Sequence, residues 1–220
     1  MSRQAVRRII LLALMLLICL MISRVNPIFF SVGNIMKLFQ EAAQTGIVAV
    51  GFTLVLIAGG MDMSIGAVIA VTSMVCVNFL TYTKLPVAVF VPISLLVGAL
   101  TGLFNGYFIT RFKLPEFIVT LASKSILSGI ALVIAVKDSM GFVKNVYIQN
   151  ETYIWFGGQA FGTVYRATIA FVILGVATQV FMKKTRAGTN IYATGANAQA
   201  ASLSGINTTR TVIGIYMFSS

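Results

Sequence analysis

The chain has no histidine, only five acidic residues, two cysteines, four prolines and one tryptophan among its 220 residues. Without histidine, the side chain that most often serves as general base and metal ligand is missing. Cys19 and Cys76 both lie in apolar stretches without CxxC spacing, so neither a disulfide framework nor a metal centre is implied, and they read as small packing residues. The Gly-x-x-x-x-Gly-Lys-Ser/Thr loop that cradles nucleotide phosphates is absent, so the chain carries no ATP-hydrolysing motif of its own. Charge is scarce: 10% of residues are charged, against about 25% in a soluble domain. In its place, 58% of the chain is hydrophobic. These proportions describe an integral membrane protein.

The net charge of +11 would suggest nucleic acid in a soluble protein. Here the basic residues sit at the ends of apolar runs rather than on one polar face, which fits positive-inside topology and no nucleic-acid partner. Arg3, Arg7 and Arg8 precede a first run, Ile9 to Ser23. No small-x-small cleavage site follows it, so it reads as an uncleaved span. Residues 28–43 are amphipathic and predict a short interfacial helix. Further runs follow at about 44–59, 65–81, 87–109, 117–136 and 166–182. Between the last two lies a long segment, 137–165, in which Thr152-Tyr153-Ile154-Trp155 reads as a short strand or an interfacial anchor.

A seventh apolar run starts at Thr211 and reaches Ser220, short of the roughly 20 residues needed to cross the hydrocarbon core. The expectation is an all-α transmembrane bundle, one domain over 1–220, with six spans and the start of a seventh, C-terminally truncated. Alternating the spans from a cytoplasmic N-terminus places Arg111, Lys113, Lys183, Lys184, Arg186 and Arg210 inside. Arg24, Lys37, Lys84, Lys137, Lys144 and Arg166, diluted by Glu41, Asp138 and Glu151, then lie outside.

Between two runs stands Gly59-Gly60-Met61-Asp62-Met63-Ser64-Ile65-Gly66. A carboxylate in such a setting is expensive and needs a reason. Gly59-Gly60 breaks a helix. Asp62 and Ser64 are suited to accept hydrogen bonds from the N–H groups opening the next helix, and Gly66 to admit a close backbone. Two readings stand: a break lining a solute path or its gate, and a tight turn with Asp62 as an ordinary cap. Gly98, Gly102 and Asn105-Gly106 make a small-residue face that predicts close helix packing, with Asn105 bonding across helices or facing a polar solute. Pro115 and Glu116 suit the first turn of a helix. Lys124, two turns further on, is suited to snorkel, face a cavity or pair with Asp62.

The segment 187–210 is polar with an Ala-rich centre, Tyr192 to Ile206. A helix capped by Thr194 or Asn197 and closed by Gly205 at C′ is expected there, on the cytoplasmic side. Such a helix is either a knob for a partner's groove or a connector on the membrane surface.

These motifs resemble the membrane-spanning permease subunits of bacterial ABC importers for monosaccharides, of the ribose/xylose/galactose type. The match runs through Asn26-Pro27 with Phe29, the octapeptide, Asn105-Gly106 to Leu121, and Tyr192 to Ile206. The family form of the octapeptide is Gly-Gly-Ile-Asp-Leu-Ser-Val-Gly. The chain departs from the family at Glu116, where a second proline is common, and at Ala198, Gln199 and Ser202, where charged residues are common. The resemblance implies a path shared by two permease subunits, as homo- or heterodimer, in the inner membrane. It implies a cytoplasmic ATPase that hydrolyses ATP, no cofactor bound by this chain, and an extracytoplasmic sugar-binding protein. Gly59, Gly60, Asp62, Ser64, Gly66 and Asn105 then become path or gate candidates. Thr194, Gly195, Asn197, Ala200, Ala201, Ser204 and Gly205 become the ATPase-docking loop, with 187–210 as the coupling element and 137–165 as a contact for the binding protein. Autoinducer-2 or a polyol as solute, an ion-coupled secondary transporter, and a truncated non-functional remnant are the alternatives.

Overall fold

The computed structural model describes residues 3–83, 86–137, 139–141, 143–144, 146 and 150–220. Lys84 and Asp138, counted above on the outer side, lie outside these residues. Among the described residues, six helices are long and apolar enough to cross a membrane. They are α1 (Arg3–Val25), α2 (Val32–Ile57), α3 (Ile65–Tyr82), α4 (Phe90–Phe112), α5 (Glu116–Ile134) and α7 (Arg166–Lys184), with the short α6 (Glu151–Gly157) before the last. The chain ends in α8 (Arg186–Ala196), α9 (Ala198–Leu203) and α10 (Thr208–Ser219). The all-α bundle expected from the sequence is the one observed.

Local chemistry explains the breaks. Asn26 precedes a proline, which disfavours helical backbone at that residue, and its side chain turns back to accept the Ile28 N–H. Ser31 then caps α2 by accepting the Asn34 N–H. The interfacial helix expected over 28–43 is instead the first half of α2. No proline interrupts 32–57, and Lys37 and Glu41, four apart and both exposed, share one face of its first half, where their heads can reach water. Of the two readings of Thr152–Trp155, the strand does not form: Asn150 accepts the Tyr153 N–H and starts the helix α6. The strand character falls just after it, where β1 (Gln159–Phe161) pairs antiparallel with β2 (Val164–Tyr165). Arg166 fastens this region, donating to the Trp155 carbonyl at 2.6 Å with its guanidinium 3.9 Å from the indole ring.

α10 threads between α2 and α4, antiparallel to both. Its seat is the glycine face of α4: a Cβ on Gly98 would meet the Ser220 carbonyl, one on Gly102 the backbone of Tyr216 and Met217, and one on Gly106 the Cα of Ile213. On the other side Gly51 of α2 abuts Ser219. Lipid supplies no hydrophobic drive between helices, so this close approach of backbones is the packing force available. α3 packs on α4 and α5, and α7 on α2. One apolar cluster ties the bundle together at a single end: Leu54, Val55, Ile109, Val119, Met182, Ile191, Ile215 and Tyr216, from the ends of α2, α4, α5 and α7, from α8 and from α10. No residue of α1's apolar stretch is buried.

A side chain at Gly102 has no room, because its neighbours are backbone atoms. Gly102→Val is expected to destabilise the full-length protein by ~1–3 kcal/mol, the usual cost of overpacking. Gly129→Ala, with no atom within 4 Å of its added Cβ, serves as the neutral control. Thermal unfolding in detergent micelles reads the difference; equal midpoints for the two variants would disprove the packing role.

Candidate functional site

The octapeptide sits where α2 stops and α3 begins. Gly59 has φ of +87°, a left-handed turn that glycine adopts without strain. Gly60 is walled in: a Cβ there would lie 2.7 Å from the Glu116 carboxylate and 3.0 Å from the Tyr216 hydroxyl. Those two side chains complete the broken backbone. Glu116 Oε2 accepts the Met61 N–H at 3.0 Å, and the Tyr216 hydroxyl donates to the Met61 carbonyl at 3.3 Å. Glu116, expected only to favour the positive end of α5, therefore also holds the turn.

Beyond Met61 a buried polar chain crosses three elements. The Ser123 hydroxyl of α5 donates to Asn105 Oδ1 of α4 at 2.5 Å. The Asn105 amide donates to Ser64 Oγ at 2.9 Å, and the Ser64 hydroxyl donates to Asp62 Oδ1 at 2.6 Å. Asp62 Oδ1 also accepts the Ser64 N–H at 2.8 Å. Each donor in this relay points the same way and the carboxylate is the terminal acceptor. Asn105 and Ser64 are fully buried, and Asp62 and Ser123 nearly so. Asp62 Oδ2, also buried, has no hydrogen-bond partner among the described residues. A buried acceptor left without a donor is costly.

Gly59, Gly60, Asp62, Ser64 and Asn105 are thus brought together. Asn105 bonds across helices, one of its two expected roles. Two details differ from expectation. Ser64 stands at the N-cap of α3 but caps nothing, because its hydroxyl is committed to Asp62 and Asn105. Gly66 admits no close backbone: an added Cβ meets nothing within 4 Å. Of the three roles open to Lys124, pairing with Asp62 is not the one adopted: its side chain is exposed.

The segment 187–210 forms two helices instead of one. Thr185 caps α8 by accepting the Gly188 N–H. Asn197 ends α8 and caps α9, accepting the Ala200 N–H at 3.0 Å. Thr194 is therefore inside α8 and caps nothing; it is buried and its hydroxyl has no partner among the described residues. Gly205, with φ of +84°, closes α9 as expected at C′: the Ile206 N–H returns to the Ala201 carbonyl. Ala201 is buried, whereas Asn197, Ala200 and Ser204 are exposed. Leu203 is 91% exposed, an apolar side chain standing free on a polar segment. Its place among polar neighbours is the signal that could have singled it out.

The two motifs meet. Gly195 is pressed against the carbonyl of Ile57 and the backbone of Ala58, so closely that a Cβ would overlap the Ile57 oxygen. Gly59 faces Gly195 from the other side. The end of α8 rests directly on the start of the octapeptide break.

The family described as "Branched-chain amino acid transport system / permease component" matches residues 34–220. The ribose import permease protein of Haemophilus influenzae is 32% identical over 94% of this chain and 63% of its own length. The ribose import permease protein of Bacillus subtilis is 33% identical over 91% of this chain and 61% of its own. The fructose import permease protein of Rhizobium meliloti is 32% identical over 87% and 54%. The chain spans about three-fifths of the length of such relatives. No solved structure matches it. With six helices of membrane-crossing length and apolarity, it is a multi-pass membrane protein. By the match over residues 34–220, the chain belongs to the permease family of these transport systems.

Proposed function

We propose that the chain builds part of the solute path of an ATP-binding-cassette importer for a monosaccharide. It would lie in the bacterial inner membrane with its N-terminus in the cytoplasm. A second permease subunit would complete the path, and a separate cytoplasmic ATPase would hydrolyse ATP. The seat of Gly195 on Ile57 carries the reading. A permease without a nucleotide motif needs a surface outside the membrane whose movement reaches a break inside it, and α8–α9 resting on the octapeptide supplies one. Leu203, Ala200 and Ser204 are the exposed side chains offered to the ATPase. On the opposite side, the segment around α6 and the β1–β2 hairpin exposes Trp155, Phe156 and Phe161, a surface suited to an extracytoplasmic sugar-binding protein. The solute class rests on relatives named for ribose and fructose import.

Deleting the full-length gene is expected to abolish ATP-dependent uptake of one labelled pentose or hexose. Unchanged uptake of every monosaccharide tried would overturn the assignment. Asp62→Ala strips the acceptor from both Ser64 donors, a loss of ~1–3 kcal/mol, and uptake should fall about tenfold with membrane insertion intact. Asp62→Asn keeps an acceptor oxygen and most of the uptake. Full uptake by the alanine variant would reduce Asp62 to a dispensable turn residue.

Two glycines separate coupling from docking. Gly195→Ala drives α8 off its seat at ~1–3 kcal/mol, and sugar moved per ATP hydrolysed should drop about tenfold while the ATPase still co-purifies. Gly205→Val strains the left-handed turn that closes α9 and should weaken co-purification itself. If both variants co-purify and couple like wild type, α8–α9 is not the transmission element.

A further inference from the structure

A cavity lies outside the octapeptide. It has a volume of about 580 Å³ and opens between α2, α7, α8 and α10. Leu54, Leu174, Phe181, Ile215 and Phe218 give it apolar walls. Its polar end carries Arg210 from the first turn of α10, with Asn190 of α8 beside the same opening. From Arg210 to Phe218 the slot runs along eight residues of helix, about 12 Å at 1.5 Å per residue. It therefore reaches from the membrane surface on the α8–α9 side into the hydrocarbon.

Arg210 is exposed and has no carboxylate partner among the described residues. No acidic residue lies among residues 152–220, whereas Lys183, Lys184 and Arg186 add positive charge at the same end of α7 and α8. A basic mouth above an apolar slot between membrane helices is complementary to a phosphate joined to an acyl chain. A sugar does not match the walls, and a free anion would leave them unfilled.

We propose that this slot is a binding site for an anionic phospholipid, with the phosphate on Arg210 and Asn190 and one acyl chain against Leu174, Ile215 and Phe218. The lipid lies against both α8 and α10 and so braces the seat of α8 on the octapeptide. The site stands on its own geometry and does not depend on which solute is carried.

Gly214 lines the slot, and a Cβ there meets nothing within 4 Å. A larger side chain at 214 therefore fills the slot without pressing on its neighbours. The test uses the full-length chain, delipidated in detergent and titrated with phosphatidylglycerol or phosphatidylcholine under native mass spectrometry. One phosphatidylglycerol is expected to bind in preference to phosphatidylcholine. Arg210→Gln should weaken it about fivefold, the contribution of one basic residue to an anionic headgroup; Arg210→Lys should keep most of the affinity, and Gly214→Leu should abolish it. Equal binding of the two lipids, or Arg210→Gln behaving as wild type, overturns the proposal. So does unaltered binding by Gly214→Leu, which would show the slot covered by another part of the chain. If Gly214→Leu does not fold, the Arg210 pair decides alone.

Discussion

Where α2 stops and α3 begins, buried peptide groups lose their helical partners, and the architecture follows from the need to satisfy them. Between Ile57 and Ile65 the backbone leaves helical geometry, and three of its polar groups find side-chain partners. Glu116 takes the Met61 N–H, Tyr216 donates to the Met61 carbonyl, and Asp62 takes the Ser64 N–H. Those partners come from α5, α10 and the break itself, so the break holds only when α5 and α10 are docked. The glycine face of α4 makes the docking of α10 possible, because nothing larger would let the Tyr216 hydroxyl reach Met61. Packing and polar satisfaction are thus one problem with one solution.

The polar chain from Ser123 to Asp62 extends that solution across α4 and α5. In an apolar surround such bonds act as directional ties between helices, and a fully satisfied chain rigidifies what it joins. The departure from full satisfaction is at Asp62 Oδ2. Unsatisfied buried groups in an otherwise complete network are where function is usually found. The same end of the bundle holds the apolar cluster, the seat of α8 and the basic residues of α7, α8 and α10. α9 follows directly on α8, whose Gly195 is seated on Ile57 and Ala58 at the start of the break.

Much of this was legible beforehand, for identifiable reasons. The octapeptide stands out because a carboxylate between apolar runs demands an explanation, and Asn105 stands out for the same reason. Glycines four apart on α4 announce a close neighbour without saying which. Glu116, Tyr216 and Ser123 are different. Glu116 has a sufficient local explanation as a first-turn acid, and Ser123 and Tyr216 are ordinary in apolar helices. Their roles arise from partners 18 to 155 positions away in sequence, and no local pattern encodes such pairs. Gly66 misled in the opposite direction, since a small residue permits a close approach but does not compel one. The interfacial helix expected over 28–43 merges into α2 because charged heads near the N-terminal end of a long helix reach water without breaking it.

What the sequence determined by itself is the class: apolar runs of spanning length, glycine breaks and scarce charge admit only a helical membrane protein, because those properties are local and additive along the chain. The tertiary structure decided which elements meet. That α8 rests on the octapeptide, that α10 lies on the glycines of α4, and that Asp62 ends a relay begun at Ser123 all depend on contacts between distant segments. Such contacts are selected by shape and by the need to pair every buried donor, and these are properties of the folded whole.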